Sequence, residues 1–235
     1  MSQRHIQGVT FDLDGCLYPA KKMRWRFMLS NWRKASLIRV TQAVRHDMRE
    51  ETFDDGEAFL TAQFEEIARR TERDVNVVMK EVDHLFSERL CRVLRKVGPF
   101  AGTRQALQSL VDQQVQIAVV SDFFPDDKLE ALGLLDLPWA ARIGCDGVGA
   151  LKPQPRGLQL AAEAMGLDAD AMAHVGDRRD TDVEAAMRAE FLPVFVDVER
   201  TLVVADEFDG GILVNSPVQA VEWVLQHNAE VLGDD

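Results

Sequence analysis

After Gly98 the chain alternates short apolar runs with helix-patterned segments, an order that few architectures accommodate. Val115–Val120, Ala141–Cys145, Met172–Val175, Pro193–Val198 and Ile212–Val214 read as strands. Thr103–Gln113, Asp126–Leu132, Pro155–Met165 and Asp180–Ala189 read as the helices between them, and Val218–Gln226 as a closing helix. Strands separated by helices of this length imply parallel pairing through right-handed crossovers. One further apolar run, Ile6–Phe11, precedes all of these. From Lys21 to Val97 no strand pattern interrupts; apolar residues recur at three- and four-residue steps, most clearly from Val75 to Val97. Shorter stripes run from Phe59 to Ala68 and from Met23 to Val44. The expected fold is therefore α/β: a Rossmann-like, doubly wound parallel sheet core from residues 1–19 and 98–235, with an α-helical cap inserted over 20–97.

Composition narrows the partners. The formal charge is −12, from 39 acids against 27 bases, which argues against nucleic acid as a polymer partner because such binders need a basic surface. An anionic small molecule meets the same unfavourable field, so local bases or a metal would have to attract it. The start, MSQRHIQGVTFD, lacks a signal-peptide core, and no apolar run is long enough to cross a bilayer. A cytoplasmic protein with no membrane partner is expected. Cys16, Cys91 and Cys145 are isolated in sequence and are read as reduced, buried thiols rather than zinc ligands.

The chemistry concentrates where apolar runs end. In VTFDLDGCLYPA, the first run delivers Asp12 and Asp14 to the end of a strand, and Gly15 turns the chain away. Residues two apart on a strand start from one face, and the carboxyl edge of an open α/β sheet is where ligands bind. Two acids there repel unless a cation or a shared proton stabilises them, so the pair suggests a divalent metal bridged to a phosphoryl group. A turn capped by two acids is the plainer alternative. In HVGDRRDTD, another apolar run ends at Gly176, and Asp177 follows at once. Asp180 and Asp182 suit a helix N-terminus, but that does not account for Asp177. Acids ending two separate strands at one sheet edge make a hard-cation site. Ser121 follows VQIAVV and Lys152 sits in GALKPQP; taken singly, the serine reads as a helix cap, and the lysine equally as a functional or a solvated group.

Taken together and in order, DLDGCL at Asp12, VVSD at Ser121, Lys152 followed by proline, and GDRRDTD at Asp177 resemble the four motifs of the haloacid dehalogenase-like hydrolase superfamily. The re-entry segment PFAGTRQAL and the position of the helical insertion resemble it too. The resemblance implies that Asp12 is a nucleophile forming an aspartyl-phosphate and that Asp14 is the acid and then the base. It implies Mg²⁺ bound by the Asp12 carboxylate, the Asp14 carbonyl and the Asp177 carboxylate, with Asp182 supporting that shell. Ser121 and Lys152 would hold the phosphoryl oxygens. Relatives that cleave carbon–halogen bonds generally lack an acid at the Asp14 position, so the expected activity is phosphatase action on a small phosphorylated metabolite. A phosphosugar mutase, or a catalytically weak binding or regulatory member, remains as an alternative, with phosphonate hydrolysis ranked below. Two positions depart from the family pattern: Cys16, and Asp122, an acid expected to repel substrate or turn outward. Lys21, Lys22, Arg24 and Arg26 are read either as substrate attraction or as a solvated basic face. Neither the substrate nor the oligomeric state is specified by the residues.

Overall fold

The run that opens the chain becomes the central strand. In the computed structural model, which describes residues 5–202, 204–208 and 210–233, β1 (Gly8–Phe11) pairs in parallel with β2 (Gln116–Ser121) on one side and β4 (Met172–Gly176) on the other. Positions 1–4, 203, 209, 234 and 235 of the expected core lie outside the described residues. β3 (Trp139–Gly144) flanks β2, while β5 (Leu192–Val196) continues from β4. β7 (Gly211–Val214) pairs in parallel with β5, and β6 (Asp206–Phe208) folds back antiparallel on β7. The seven-stranded order is β3-β2-β1-β4-β5-β7-β6, with helices on both faces. The chain winds outward from β1 one way, then resumes at β4 on the other side. That reversal makes the carboxyl end of β1 the crevice where such sheets bind ligands.

Register aligns three strand ends there. Phe11 lies opposite Val119 on β2 and Val175 on β4, so Asp12, Val120 and Gly176 are neighbours. All four residues of β1 are buried, as are Ile117 to Ser121 on β2 and the whole of β4. Near-continuous apolar strands suit a sheet covered on both faces.

Between β1 and β2 the described chain is helical: α1 (Ala20–Ser30), α2 (Ala35–Asp47), α3 (Gly56–Thr71), α4 (Val75–His84) and α5 (Leu90–Val97), followed by α6 (Thr103–Asp112). Asp55 caps α3 by accepting from the Ala58 amide, and Asp74 caps α4 by accepting from those of Asn76 and Val77. The stripe from Met23 to Val44 is not one helix. Buried Asn31 donates its side-chain amide to the Phe27 carbonyl at 2.9 Å and accepts from Arg89 at 2.8 Å, breaking the run into α1, a 3₁₀ turn and α2. Val75–Val97 stays helical, through a π-turn at Leu85–Arg89.

Beyond the insertion lie α7 (Asp126–Leu132), α8 (Arg156–Met165), α9 (Glu184–Arg188) and α10 (Pro217–Gly233). A π-turn at Arg179–Val183 leads into α9. All three cysteines are buried and free. Strand β6 has no signal in the sequence reading. It is short, polar and largely exposed, and it forms because Gly210 (φ +83°) closes a hairpin onto β7.

Candidate active site

Backbone geometry fixes Asp12 first. Its amide donates to the Val175 carbonyl at 2.8 Å, extending the β1–β4 ladder by one residue. The chain then turns at Gly15, whose φ of +119° favours glycine. A Cβ there would also overlap the Asp177 carboxylate, so the turn and the second acidic loop are packed backbone against side chain. Tyr18, fully buried, donates its hydroxyl to Asp14 Oδ1.

Lys152 organises the centre. Its ammonium donates to Asp12 Oδ1 at 2.5 Å, Asp182 Oδ1 at 2.6 Å and the Val120 carbonyl at 3.2 Å. An ammonium has three donors, so every one is engaged within the protein. Burial alone would favour a neutral lysine, but the carboxylates of Asp12 and Asp182 more than offset it and hold the ammonium charged. Asp182 also accepts from the Arg178 amide at 3.0 Å. Burial opposes its ionisation too, yet Lys152 and His174 keep it well below the usual carboxylate range.

The remaining acids behave differently. Burial raises the Asp12 carboxyl; Lys152 draws it down, and Asp182, Asp177 and Asp14 push it further up. Burial, with the neighbouring Asp182, pushes Asp177 up to about 7. Asp177 Oδ1 is buried and has no hydrogen-bond partner. Ligand oxygens of Asp12, Asp177 and Asp182 lie within 4.8 Å of one another. An orphaned carboxylate oxygen inside a cluster of hard donors is what a divalent cation would satisfy, and Mg²⁺ fits this donor set.

Asp14 points into the cleft beside this cluster. Burial opposes its ionisation, but Lys128 donates to Oδ2 at 2.5 Å and, with Tyr18, holds the carboxyl below its ordinary range. Ser121, fully buried at the end of β2, places Oγ 3.4 Å from the same oxygen. Asp122 lines the cleft, but its charge is engaged. Its carboxylate takes Arg49 at 2.7 Å and the Lys152 amide at 3.1 Å, while its carbonyl accepts from Arg45 at 2.6 Å. Arg49 of the inserted segment thus offsets the charge expected either to repel substrate or to turn outward.

Sheet edge and insertion enclose a cleft of about 300 Å³. Met23, Arg24 and Phe27 of α1 line one wall, and Phe86 stacks on Phe123 across it, with ring centroids 5.3 Å apart and planes at 11°. Of the four bases read either as substrate attraction or as a solvated face, Arg24 lines this cleft. Lys21 instead pairs with Glu199 on the surface, and Arg26 donates to the Lys96 carbonyl elsewhere. Lys128 and Tyr18 have no place in the sequence reading of the site. Lys128 lies in the polar segment DDKLEAL, and only tertiary packing shows its side chain to be buried.

Comparison with known proteins settles the family. A profile described as haloacid dehalogenase-like hydrolase matches residues 6–190. The chain belongs to that family. A phosphoglycolate phosphatase of Neisseria meningitidis is 34% identical over 101 residues, and the match spans 42% of each chain. Among solved structures, this family member is similar in fold to a 2-haloacid dehalogenase from Pseudomonas syringae: 21% identity, TM-score 0.63, 94% of this chain and 98% of that one. It is also similar to a phosphatase of the family from Thermococcus onnurineus: 16% identity, TM-score 0.61, 93% and 98% covered.

Proposed function

We propose that this hydrolase is a Mg²⁺-dependent phosphatase acting on a small phosphorylated metabolite, with residues 20–97 serving as its cap. The observation that carries the reading is Asp14: a carboxyl group at the cleft floor, beside Asp12 and held by Lys128 and Tyr18, which a reaction expelling halide would not need. The first step has an oxygen of Asp12 attack phosphorus while the bond to the substrate oxygen breaks. The departing oxygen takes its proton from the protonated form of Asp14, a minority in the free site because Lys128 favours the carboxylate. Water then attacks the aspartyl-phosphate, giving its proton to Asp14, and the bond from phosphorus to Asp12 breaks to release phosphate. Ser121 donates toward a phosphoryl oxygen, and Lys152 offsets the negative charge gathered around Asp12. Asp12 and Asp177, with the Asp14 carbonyl, would hold Mg²⁺, and Asp182 would orient the site through Lys152 and the Arg178 amide. When bound, the ion supplies charge neutralisation between anionic nucleophile and anionic substrate.

The test is turnover of an aryl phosphate with and without Mg²⁺, beside halide release from 2-chloropropionate. Mg²⁺-dependent phosphate release that Asp12→Asn lowers by several orders of magnitude supports the reading. Halide release without phosphate release would replace it with dehalogenation. The Neisseria relative makes 2-phosphoglycolate the first metabolite to assay.

A further inference from the structure

Charge is segregated in this acidic chain. Residues 20–46 carry eight lysines and arginines and no acid, and residues 89–97 carry four and no acid. Outside 20–97 there are ten bases against 26 acids. The two basic stretches meet in space, because α1 packs against α5. Between them lies a cavity of about 360 Å³ with Leu29 and Val93 among its lining and Arg26, Arg89, Arg92 and Lys96 around it, separate from the catalytic cleft. Arg89 is held by Asn31. The side chains of Arg92 and Lys96 have no hydrogen bond or ion pair among the described residues.

Beside this basic hollow, α1 exposes apolar bulk. Trp25 is 66% exposed, Leu29 56% and Trp32 66%. Their spacing of four and three residues puts them along one ridge as the chain passes from α1 into the 3₁₀ turn, while Ala20, Met23 and Phe27 face inward. Scattered exposed apolar residues need no explanation, but two tryptophans and a leucine aligned beside the unpaired Arg92 and Lys96 do.

We propose that this outer face of the inserted helices docks on the surface of a bilayer containing anionic phospholipids. The aromatic–aliphatic ridge enters the headgroup boundary, and the hollow of Arg92 and Lys96 receives a lipid phosphate. Tryptophan suits that boundary, having an apolar body and a polar edge. Two other occupants fit less well. A second copy meeting the same face by two-fold symmetry would set the basic stretches against each other with no acid between them. Single-stranded nucleic acid would stack on the tryptophans, but Leu29 between them offers no stacking face, and the acidic remainder repels a longer polymer. The expectation of no membrane partner rested on the absence of a bilayer-crossing run, and no described helix is long and apolar enough to cross one. A peripheral contact needs none.

The test is co-sedimentation of the full chain with vesicles of phosphatidylcholine alone or mixed three to one with phosphatidylglycerol. Binding is expected to the mixed vesicles only, and to weaken as salt rises from about 0.1 M to about 1 M, where screening shortens from about 10 Å to about 3 Å. Arg92→Ala and Lys96→Ala should each lower the partition coefficient about fivefold. Trp25→Ser with Trp32→Ser should lower it more, with turnover of a soluble aryl phosphate unchanged. Failure to bind the mixed vesicles at low salt overturns the proposal. So does a dimer in sedimentation equilibrium that Trp25→Ser with Trp32→Ser abolishes, or retention of a single-stranded oligonucleotide by the same face.

Discussion

Lys128 of α7 reaches Asp14 Oδ2 at 2.5 Å, while its ammonium lies 4.9 Å from the centre of the Phe123 ring. The lysine side chain is buried, so it donates to Asp14 with little competition from water. It favours the carboxylate form, which suits activation of water and works against protonation of a leaving group. Lys128→Met keeps the length and removes the charge. We expect the acidic limb of the pH–rate profile for an aryl phosphate to move to higher pH, because Asp14 then loses its charge earlier as pH falls. Profiles of kcat for parent and variant, which for a good leaving group report the water-attack step where Asp14 is the base, check this; superimposable profiles would separate Lys128 from Asp14.

The metal-free protein should carry a pH-dependent instability centred on Asp177. Its folded value of about 7 lies above the ordinary 3.8, so the folded state binds more protons between those limits. Stability therefore falls as pH rises through that window and is lowest above it. Thermal midpoints in chelator should be lower at pH 8 than at pH 6, and the gain on adding Mg²⁺ should be larger at pH 8. Asp177→Asn should flatten the chelator curve and remove most of the gain. The measurement is calorimetry at both pH values, and equal midpoints in chelator would count against a strained acid cluster.

How far the sequence foretold this site depends on where each side chain's environment originates. Asp12, Asp177 and Lys152 follow apolar runs or precede a proline, so local pattern placed them near the sheet edge. What engages Asp122 is not legible, because its partners, Arg45 and Arg49, stand over seventy residues earlier in a segment patterned only for helix. Lys128 is illegible for a related reason: DDKLEAL looks like a solvated helix until Phe123 and Asp14 cover the lysine. The alternation of strands and helices was legible because burial on both faces of a parallel sheet leaves continuous apolar runs. Strand β6 leaves none, being polar and at an edge.

The contact between insertion and core should control substrate binding more than chemistry. Arg49 holds the Asp122 carboxylate and also donates to the Lys152 carbonyl, so it ties α2's end to two loops of the sheet edge. Arg49→Ala leaves the Asp122 charge unpaired before an incoming anion and loosens the contact between insertion and sheet edge. A rise in KM of tenfold or more, with a smaller loss in kcat, is expected in steady-state kinetics. An unchanged KM would mean that the Asp122 charge does not act on the incoming anion.

Asp146 gives a test that is independent of catalysis. It lies in the turn after β3, buried, with Arg45 at 3.7 Å and the Gly147 amide donating to Oδ1 at 2.9 Å. Burial outweighs the attraction of Arg45 and raises this carboxyl to about 6. A raised acid binds its proton more tightly in the folded state, so stability is lost as pH climbs from about 4 to about 6 and stays lost above. Asp146→Asn preserves the acceptor for Gly147 and removes the titration. The variant should match the parent near pH 4 and be the more stable above pH 7, by at most about 3 kcal/mol if the whole shift is recovered. The opposing effect is that Arg45 loses a counter-ion, although Asp122, Gln63 and the Phe123 face remain around it. Denaturant unfolding at both pH values decides between the two. A variant less stable than the parent at pH 8 would show that Arg45 depends on the Asp146 charge, and that the ion pair, not the desolvated acid, dominates this contact.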